Sequence, residues 1–188
     1  MPSGPWDLVS PTPSNNRIVL IAGHGGHGKT YLTRQIYHII RCGSVYRNVL
    51  LFDPFLQIDS RTGYQDPEAF IAALDRLSQP GQASQADGSA VRPRVAVVAD
   101  EADWIWDQWA KKDDIREKIL KYNRHLGLAL YLNFRAIPSR RMLDMATDVC
   151  IFNTRNDTLV NLANEYSPKE SPVDLSGLAV GQFVKIKI

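Results

Sequence analysis

The sequence has few cysteines, no long apolar run and almost no net charge, and each of these features excludes a class of protein. Its 188 residues include two cysteines, Cys42 and Cys150, which stand in no CxxC or Cys/His spacing, so neither a disulfide framework nor a zinc site has support. The longest strongly apolar stretch is the nine residues from Leu126 to Phe134, about half of what a membrane-spanning helix needs. A formal charge of +2 does not indicate a nucleic-acid partner unless the basic residues are clustered.

The start of the chain lacks the basic residues and apolar run of a signal peptide. We therefore expect a soluble cytoplasmic protein that is not secreted and has no direct membrane span. With 44% apolar and 22% charged residues the chain should be globular, and its length suits one domain, which we place at residues 17–188. Residues 1–16 contain four prolines, at positions 2, 5, 11 and 13, and predict an extended N-terminal arm.

Short apolar runs alternate with helical patterns along residues 17–188. Strands are predicted over 17–22, 48–52, 94–99, 128–133 and 148–152, and helices over 29–43, 67–78, from near 113, between the last two strands, and over 156–166. Because the strand runs are continuously apolar, both faces of the sheet should be covered, which predicts a mainly parallel sheet in a three-layer α/β/α fold. The tail LAVGQFVKIKI, with Gly181 as its turn, predicts a C-terminal edge hairpin, and residues 79–91 predict a polar linker.

The strongest local pattern is GHGGHGKT, which matches GxxxxGK[ST] and lies between a predicted strand and a predicted helix. Glycines allow the backbone N–H groups to surround a phosphate, a lysine here reaches the β and γ oxygens, and the hydroxyl that follows it binds Mg²⁺. This predicts a site for ATP and Mg²⁺. Its residues are Gly23, His24, Gly25, Gly26, His27, Gly28, Lys29 and Thr30, of which the histidines occupy variable positions.

Two strand ends could supply the acidic half of such a site. Asp53 ends the second predicted strand, and Asp100 with Glu101 ends the third. We favour Asp100 and Glu101, because an aspartate there can hold Mg²⁺ while the adjacent glutamate polarises the attacking water. This pair therefore indicates hydrolysis. A small-molecule kinase that uses Asp53 as its metal-site acid remains an alternative, although no arginine-rich lid segment is evident.

We call residues 23–30 the phosphate loop. One strand and one helix lie between this loop and the strand that ends in Asp100 and Glu101. This order resembles the additional-strand, catalytic-glutamate division of P-loop ATPases. In that division a polar residue on the next strand senses the γ-phosphate, a role that would fall to Asn133; capping of the turn is the other interpretation. The Arg-x-x-Pro turn at 135–138 and the closing Leu-x-x-Leu-x-x-Gly-Gln-Phe-Val are similar to the FtsK/HerA superfamily of DNA-pumping motors. Over residues 17–188 the chain most resembles the genome-packaging ATPases of tailless double-stranded DNA viruses with an internal membrane.

This resemblance implies a homo-oligomeric ring, usually a hexamer, that hydrolyses ATP at subunit interfaces with an arginine supplied by the neighbour. Arg135, Arg140 and Arg141 are the candidates, with Arg155 as an outsider. The resemblance also implies double-stranded DNA as the substrate, capsid or membrane proteins at a packaging vertex as partners, and a location in the host cytoplasm or the virion. A nucleotide-gated assembly or secretion factor is the non-enzymatic alternative.

Clustered basic residues give the DNA interpretation support of its own. Positions 111–141 include nine basic residues and only three acidic ones. Such an excess of positive charge suits sequence-independent contact with the phosphates of the DNA backbone. The basic residues are Lys111, Lys112, Arg116, Lys118, Lys121, Arg124, Arg135, Arg140 and Arg141. The nearby Trp104, Trp106 and Trp109 could stack on bases, but packing in the core or at a subunit interface is the preferred interpretation.

Overall fold

The computed structural model of the chain describes residues 5–9, 17–43, 45–78, 95–106, 114–166 and 173–188. Its strands are β1 (Ile18–Ala22), β2 (Asn48–Phe52), β3 (Val95–Ala99), β4 (Leu128–Asn133), β5 (Asp148–Phe152) and β6 (Phe183–Lys187). Its helices are α1 (Pro5–Val9), α2 (Lys29–Cys42), α3 (Pro67–Ser78), α4 (Ile115–Leu126), α5 (Arg140–Met145) and α6 (Asp157–Tyr166), with a 3₁₀ turn at Ala102–Trp104.

The six strands form one sheet in the order β2-β3-β4-β1-β5-β6. The first five strands are parallel, and β6 runs antiparallel to β5. Every residue of β1, β3, β4 and β5 is buried, as their continuous apolar sequences predict. The mainly parallel sheet is therefore confirmed.

Helices cover both faces of the sheet and divide the core in two. Alternate strand residues pack on one face against apolar side chains of α1 and α2, and on the other against those of α3, α4, α5 and α6. This is the expected three-layer α/β/α arrangement. The order of the strands places β4 between β1 and β3, so the carboxyl ends of these three strands lie side by side at one edge.

The N-terminal segment is not an extended arm throughout, because residues 5–9 form helix α1. Proline is the first residue of this helix, where its missing N–H costs no helical hydrogen bond. Leu8 and Val9 are buried in the core against α2. Burial of these two side chains explains why the helix forms despite four prolines in the surrounding sequence. The division of the chain into an arm and a domain remains a proposal.

The tail contributes an edge strand as expected, but it forms one strand and not a hairpin. Residues before β6 make a turn, in which Gly181 has a φ of 85°. The side chain of Asn153 donates to the carbonyl oxygens of Ser176 and Leu178, at 2.8 and 2.9 Å. These contacts hold the turn next to the end of β5 and leave no second strand. The predicted linker at 79–91 lies outside the described residues.

The other helices begin and end close to the predicted positions. The cap of α4 is Asp114, whose carboxylate accepts the backbone N–H of Arg116 at 2.9 Å. Gly43 follows the last residue of α2, and its N–H donates to the carbonyl oxygen of Ile39. In the described residues no helix is both long enough and apolar enough to cross a lipid bilayer.

Candidate active site

The glycine-rich segment 23–30 connects the end of β1 to the start of α2 at the carboxyl edge of the sheet. Gly23, Gly26 and Gly28 have positive φ angles of 131°, 77° and 99°. A Cβ atom on Gly23 would lie 2.9 Å from both the Cβ and the carbonyl oxygen of Phe152. This distance is too short for two non-bonded atoms, so the backbone would have to shift. The loop therefore needs glycine for its conformation and, at Gly23, for the close approach of β5.

Residues from the C-terminal part of the chain hold this loop. The N–H of His24 donates to the carbonyl oxygen of Asn153 at 2.8 Å, and the N–H of Gly181 donates to the carbonyl oxygen of His27 at 2.9 Å. His24 is exposed and its ring lies 5.9 Å from that of His27. The phosphate loop is thus braced from the end of β5 and from the turn before β6.

Lys29 lies at the first position of α2, largely buried, with its ammonium group turned back into the loop. Its Nζ donates to the carbonyl oxygens of Gly23 and His24, at 3.0 and 3.1 Å. Burial lowers the pKa of Lys29, while the nearby carboxylates of Glu101 and Asp100 act in the opposite direction. This position places a cation in the concavity formed by the loop.

Thr30, in the first turn of α2, meets Asp100 and Asn133 at the ends of β3 and β4. The Thr30 hydroxyl lies 3.4 and 3.3 Å from the two carboxylate oxygens of Asp100, and the side-chain amide of Asn133 donates to Oδ1 of the same carboxylate. Burial raises the pKa of Asp100 to about 6, an effect that the bond from Asn133 opposes and the charge of Glu101 adds to. A hydroxyl and a carboxylate side by side are the oxygen ligands that Mg²⁺ prefers.

Glu101 follows Asp100 and turns the chain sharply away from β3. Its φ and ψ of 52° and 48° place it in the left-handed region, which is uncommon for a residue other than glycine and is concentrated at functional sites. Burial raises the pKa of Glu101, and the charge of Asp103 raises it further, whereas Arg135 and Lys29 lower it. The carboxylate lines the same cleft as Lys29 and Asn133.

Within the described residues, three buried side-chain atoms have no hydrogen-bond partner: Nδ1 of His27, Oε2 of Glu101 and Oδ1 of Asn133. All three belong to the phosphate loop or to the strand ends beside it. Buried polar groups are normally paired, so their clustering here indicates a place where a ligand supplies the partners. The ammonium group of Lys29 and the oxygens of Thr30 and Asp100 fit a nucleoside triphosphate with Mg²⁺.

The cleft in front of the loop has a volume of about 540 Å³. The predicted residues that line it are Gly25, Gly26, Gly28, Lys29, Thr30, Glu101, Asn133 and Arg135. Tyr31, Phe55 and Gln57 line it as well, and the sequence analysis did not single them out. Phe55 and Gln57 follow β2, and only the strand order, which brings β2 to the same edge, could have indicated them.

Asp53, the alternative metal-site acid, is fully buried and has its carboxylate engaged by its own loop. Oδ1 accepts the N–H of Gln57 at 2.9 Å, and Oδ2 accepts those of Ile58 and Asp59 at 2.7 and 3.1 Å. The side chain acts as a local cap for residues 57–59. Its geometry gives the kinase interpretation no support.

The four arginine candidates lie in different surroundings. Arg135 lines the main cleft and also a second cleft of about 330 Å³ on the other side of Gly25. Arg140 pairs with Asp144 at 2.9 Å, and Arg141 pairs with Glu117. Arg155 is exposed. Of the four, Arg135 alone is brought by the structure to the cleft that holds Lys29 and Glu101.

Asp103 is a residue that the sequence analysis missed. Its two carboxylate oxygens accept the backbone N–H groups of Arg135 and Ala136, both at 2.9 Å. The one available signal was the acidic spacing 100, 101 and 103. That spacing does not identify the N–H groups of residues more than 30 positions away.

The tryptophans and the basic cluster are only partly within the described residues. Trp106 is buried, whereas Trp104 is exposed and packs edge-on against Phe55 with 5.6 Å between ring centroids. Trp109, Lys111 and Lys112 lie outside the described residues. The exposed lysine and arginine side chains of α4 are Lys118, Lys121 and Arg124.

Comparison with solved structures shows what this fold is similar to. The genome packaging NTPase B204 of Sulfolobus turreted icosahedral virus 2, in complex with ATPγS, matches with a TM-score of 0.64 at 17% identity over 94% of each chain. Its sulfate complex gives a TM-score of 0.68 at 17% identity, over 93% of this chain and 92% of that one. The cytoplasmic domain of the Thermomonospora curvata type VII secretion ATPase EccC gives 0.59 at 16% identity, over 93% of this chain but 23% of EccC.

No protein-family profile and no curated protein sequence matches the chain. The structural likeness extends over nearly the whole of both the chain and the viral NTPase, at an identity that establishes the fold alone. The chain therefore has the α/β/α P-loop NTPase fold that is also found in a viral genome-packaging NTPase and in a secretion ATPase.

Proposed function

We propose that this protein is an ATPase that moves double-stranded DNA, as the motor that packages a viral genome into a preformed capsid. The observation that carries the ATPase proposal is the convergence of Lys29, Thr30, Glu101 and Asn133 on one cleft at the carboxyl edge of the sheet, where Asp100 contacts Thr30 and Asn133. Unpartnered polar atoms of Glu101 and Asn133 lie there as well.

Each residue has a distinct role in this proposal. Backbone N–H groups of the loop and the ammonium group of Lys29 bind the β- and γ-phosphates. Thr30 and Asp100 hold Mg²⁺, which neutralises charge on the phosphates. Glu101 polarises the attacking water, and Asn133 contacts the γ-phosphate through its amide.

Arg135 is proposed to act in the cleft of its own chain, since its side chain lines that cleft. A guanidinium group there stabilises the charge that develops on the γ-phosphate. The arginine supplied by a neighbouring subunit of the ring is then sought among the exposed Arg140, Arg141 and Arg155.

The DNA part of the proposal rests on helix α4 and on the viral likeness. Lys118, Lys121 and Arg124 recur at helical spacing of three residues and are exposed, so they form one basic stripe. Arg116, Arg140 and Arg141 make ion pairs with acidic neighbours, so they add less positive charge to this surface than the sequence suggests. The solved structure of B204 described as a DNA-packaging ATPase supports DNA as the substrate.

The partners implied by this function are further copies of the chain in a ring, capsid or membrane proteins at the packaging vertex, and a place in the host cytoplasm or the virion. The second candidate is a secretion factor that hydrolyses ATP, unlike the non-enzymatic alternative above, and the likeness to the type VII secretion ATPase EccC supports it. The two candidates differ in whether duplex DNA changes the rate of hydrolysis.

The decisive experiment measures phosphate release from MgATP with and without long duplex DNA, at several salt concentrations. We expect hydrolysis that DNA stimulates, with stimulation lost as salt rises from about 50 to 200 mM. Glu101→Gln should bind ATP and hydrolyse it at least about 100-fold more slowly than the wild type. Glu165→Gln, an exposed change on α6, should hydrolyse ATP at the wild-type rate. Hydrolysis that ignores DNA at every salt concentration would favour the secretion factor.

A mixing experiment tests the ring. Glu101→Gln and Arg141→Ala are assayed for ATPase activity alone and then combined in equal amounts, with low activity expected for each variant by itself. If Arg141 acts on the neighbour's nucleotide, mixed rings contain sites with both functional groups, and activity returns. No recovery in this mixture, nor in those with Arg140→Ala or Arg155→Ala, would contradict an arginine supplied between subunits.

A further inference from the structure

Two loops of the candidate active site are joined by a single carboxylate. Asp103 lies in the 3₁₀ turn that follows β3, and its oxygens accept one backbone N–H each from Arg135 and Ala136, at 2.9 and 2.9 Å. The donors come from the turn after β4, more than 30 residues further along the chain. A carboxylate that accepts two N–H groups at this distance makes strong, charge-assisted hydrogen bonds.

These bonds continue where the sheet stops. The N–H of Phe134 donates to the carbonyl oxygen of Ile21 at 2.9 Å, which ties the end of β4 to β1. The next two N–H groups, those of Arg135 and Ala136, go to Asp103. The path of the chain beyond β4 is therefore set by this side chain.

Asp103 is itself held close to Glu101. The carbonyl oxygen of Glu101 accepts the N–H of Trp104 at 3.0 Å, and that of Ala102 accepts those of Ile105 and Trp106 at 3.0 and 2.8 Å. Glu101 opens this compact turn in the left-handed conformation. A carboxylate two residues later in the same turn moves with Glu101.

The residue controlled by this contact is Arg135, which forms part of the wall of both clefts. A long side chain on a turn outside the sheet has no fixed position unless its backbone is held. Holding the N–H groups of Arg135 and Ala136 fixes the point from which the guanidinium group reaches the cleft. Catalytic groups misplaced by about 1 Å can lose on the order of 100-fold in rate.

We propose that Asp103 is a positioning residue of the hydrolysis site: it clamps the turn after β4 to the Glu101 turn and thereby fixes the place of Arg135 in the cleft. The inference rests on the proposed ATPase function. It assigns to Asp103 no contact with the nucleotide.

The first measurement needs no turnover. Hydrogen exchange of the amides of Arg135 and Ala136 is followed in the wild type and in Asp103→Ala. Loss of the two bonds should speed exchange of these amides about tenfold or more and leave the amides of β5 unchanged. Asp103→Asn keeps one acceptor oxygen and should fall between the two.

The second measurement compares kinetic constants for ATP. Asp103→Ala should lower kcat about 10- to 100-fold and change KM by less than about threefold, because the phosphate loop is untouched. Asp103→Asn should recover part of kcat. The matched control is Asp66→Ala, which removes a carboxylate that accepts the N–H of Ala69 at the start of α3, away from the cleft; its kcat should equal that of the wild type.

A double-mutant cycle separates positioning from general loss of structure. If Asp103 acts through Arg135, Asp103→Ala should have little further effect on kcat when Arg135→Ala is already present. Losses that multiply in the double variant would overturn the inference, as would an unchanged kcat or unchanged exchange in Asp103→Ala. A wild-type chain that hydrolyses no ATP would instead overturn the proposed function, and the exchange result would still decide whether the clamp exists.

Discussion

Asn133 donates its side-chain amide to the carboxylate of Asp100, which joins the ends of β4 and β3 directly beside the phosphate loop. The other atom of this amide, Oδ1, is buried without a hydrogen-bond partner. The NH2 group of this side chain thus makes a structural contact, while its carbonyl oxygen is an unused hydrogen-bond acceptor. This arrangement suits a residue that responds to what occupies the cleft.

Replacing Asn133 by alanine tests that role. The variant should bind ATP nearly as the wild type does, because the loop and Lys29 are unchanged, and should hydrolyse it about 10- to 100-fold more slowly. Binding is measured by titration with a nonhydrolysable analogue and turnover by phosphate release. Asn161→Ala, an exposed change on α6, is the control, and equal rates for the two variants would contradict the prediction.

A second prediction concerns the stability of the phosphate loop. Gly23→Ala should lower the free energy of unfolding by about 2–4 kcal/mol. The added methyl group would collide with backbone atoms of Phe152, and alanine is strained at the φ of 131° that Gly23 adopts. The matched change is Gly25→Ala, where nothing lies within 4 Å of the new Cβ atom, so the loss should be below about 1 kcal/mol. Urea denaturation without nucleotide gives both values, and a similar loss in the two variants would show that the steric argument is wrong.

The pH dependence of stability should report on Asp59, on the loop after β2. Hydrogen bonds lower the pKa of Asp59 to about 2. The largest contribution comes from the backbone N–H of Arg61, and smaller ones come from the hydroxyls of Tyr37 and Thr62. A carboxylate with a depressed pKa in the folded state stabilises the fold above its unfolded pKa of about 4. This stabilisation is lost as the pH falls from about 4 towards 2.

Asp59→Asn should therefore be less stable than the wild type at pH 6, and the difference should shrink between pH 4 and pH 2. Denaturation curves at several pH values check this, with Glu165→Gln as an exposed control. A difference that stays constant over the whole range would mean that ionisation of Asp59 contributes nothing to stability.

The two cysteines should react very differently with a thiol reagent. Cys42 is exposed at the end of α2, whereas Cys150 is fully buried in β5, where burial raises the pKa of its thiol far above the ordinary range. Because the thiolate is the reactive form, one thiol should react in the native protein and two after denaturation. Cys42→Ser should then show no fast reaction, and fast labelling of that variant would indicate that β5 opens readily.

Much of this architecture follows from local patterns in the sequence. Continuous apolar runs predicted five buried strands; four are buried throughout, whereas β2 is buried only at Leu51 and Phe52. The spacing of GHGGHGKT predicted the loop between β1 and α2. These features depend on residues close together in the chain, so a periodicity or a motif contains the information. Helix α1 escaped prediction because it depends on burial of Leu8 and Val9 against α2, which composition does not report.

Site residues that belong to a motif or end a strand could be predicted from the sequence. Residues whose role depends on contact with a backbone segment elsewhere in the fold could not. Asp100, Glu101 and Asn133 follow apolar strands, so their convergence could be expected from a parallel sheet. The contact of Asp103 with the turn after β4, and the use of Asp53 as a cap, depend on loop paths that no pattern encodes. The hairpin predicted for the tail failed for the same reason, since Asn153 holds the turn before β6.

Asn153 links the phosphate loop to the turn before β6, because its carbonyl oxygen accepts the N–H of His24 and its side chain donates to Leu178. The N–H of Gly181 in that turn donates to His27 of the loop. A Cβ atom on Gly28 would stand 3.2 Å from the Cα of Gly181, so the two backbones are in direct contact. A displacement of the turn before β6 would therefore break contacts that hold residues 24–28 in place.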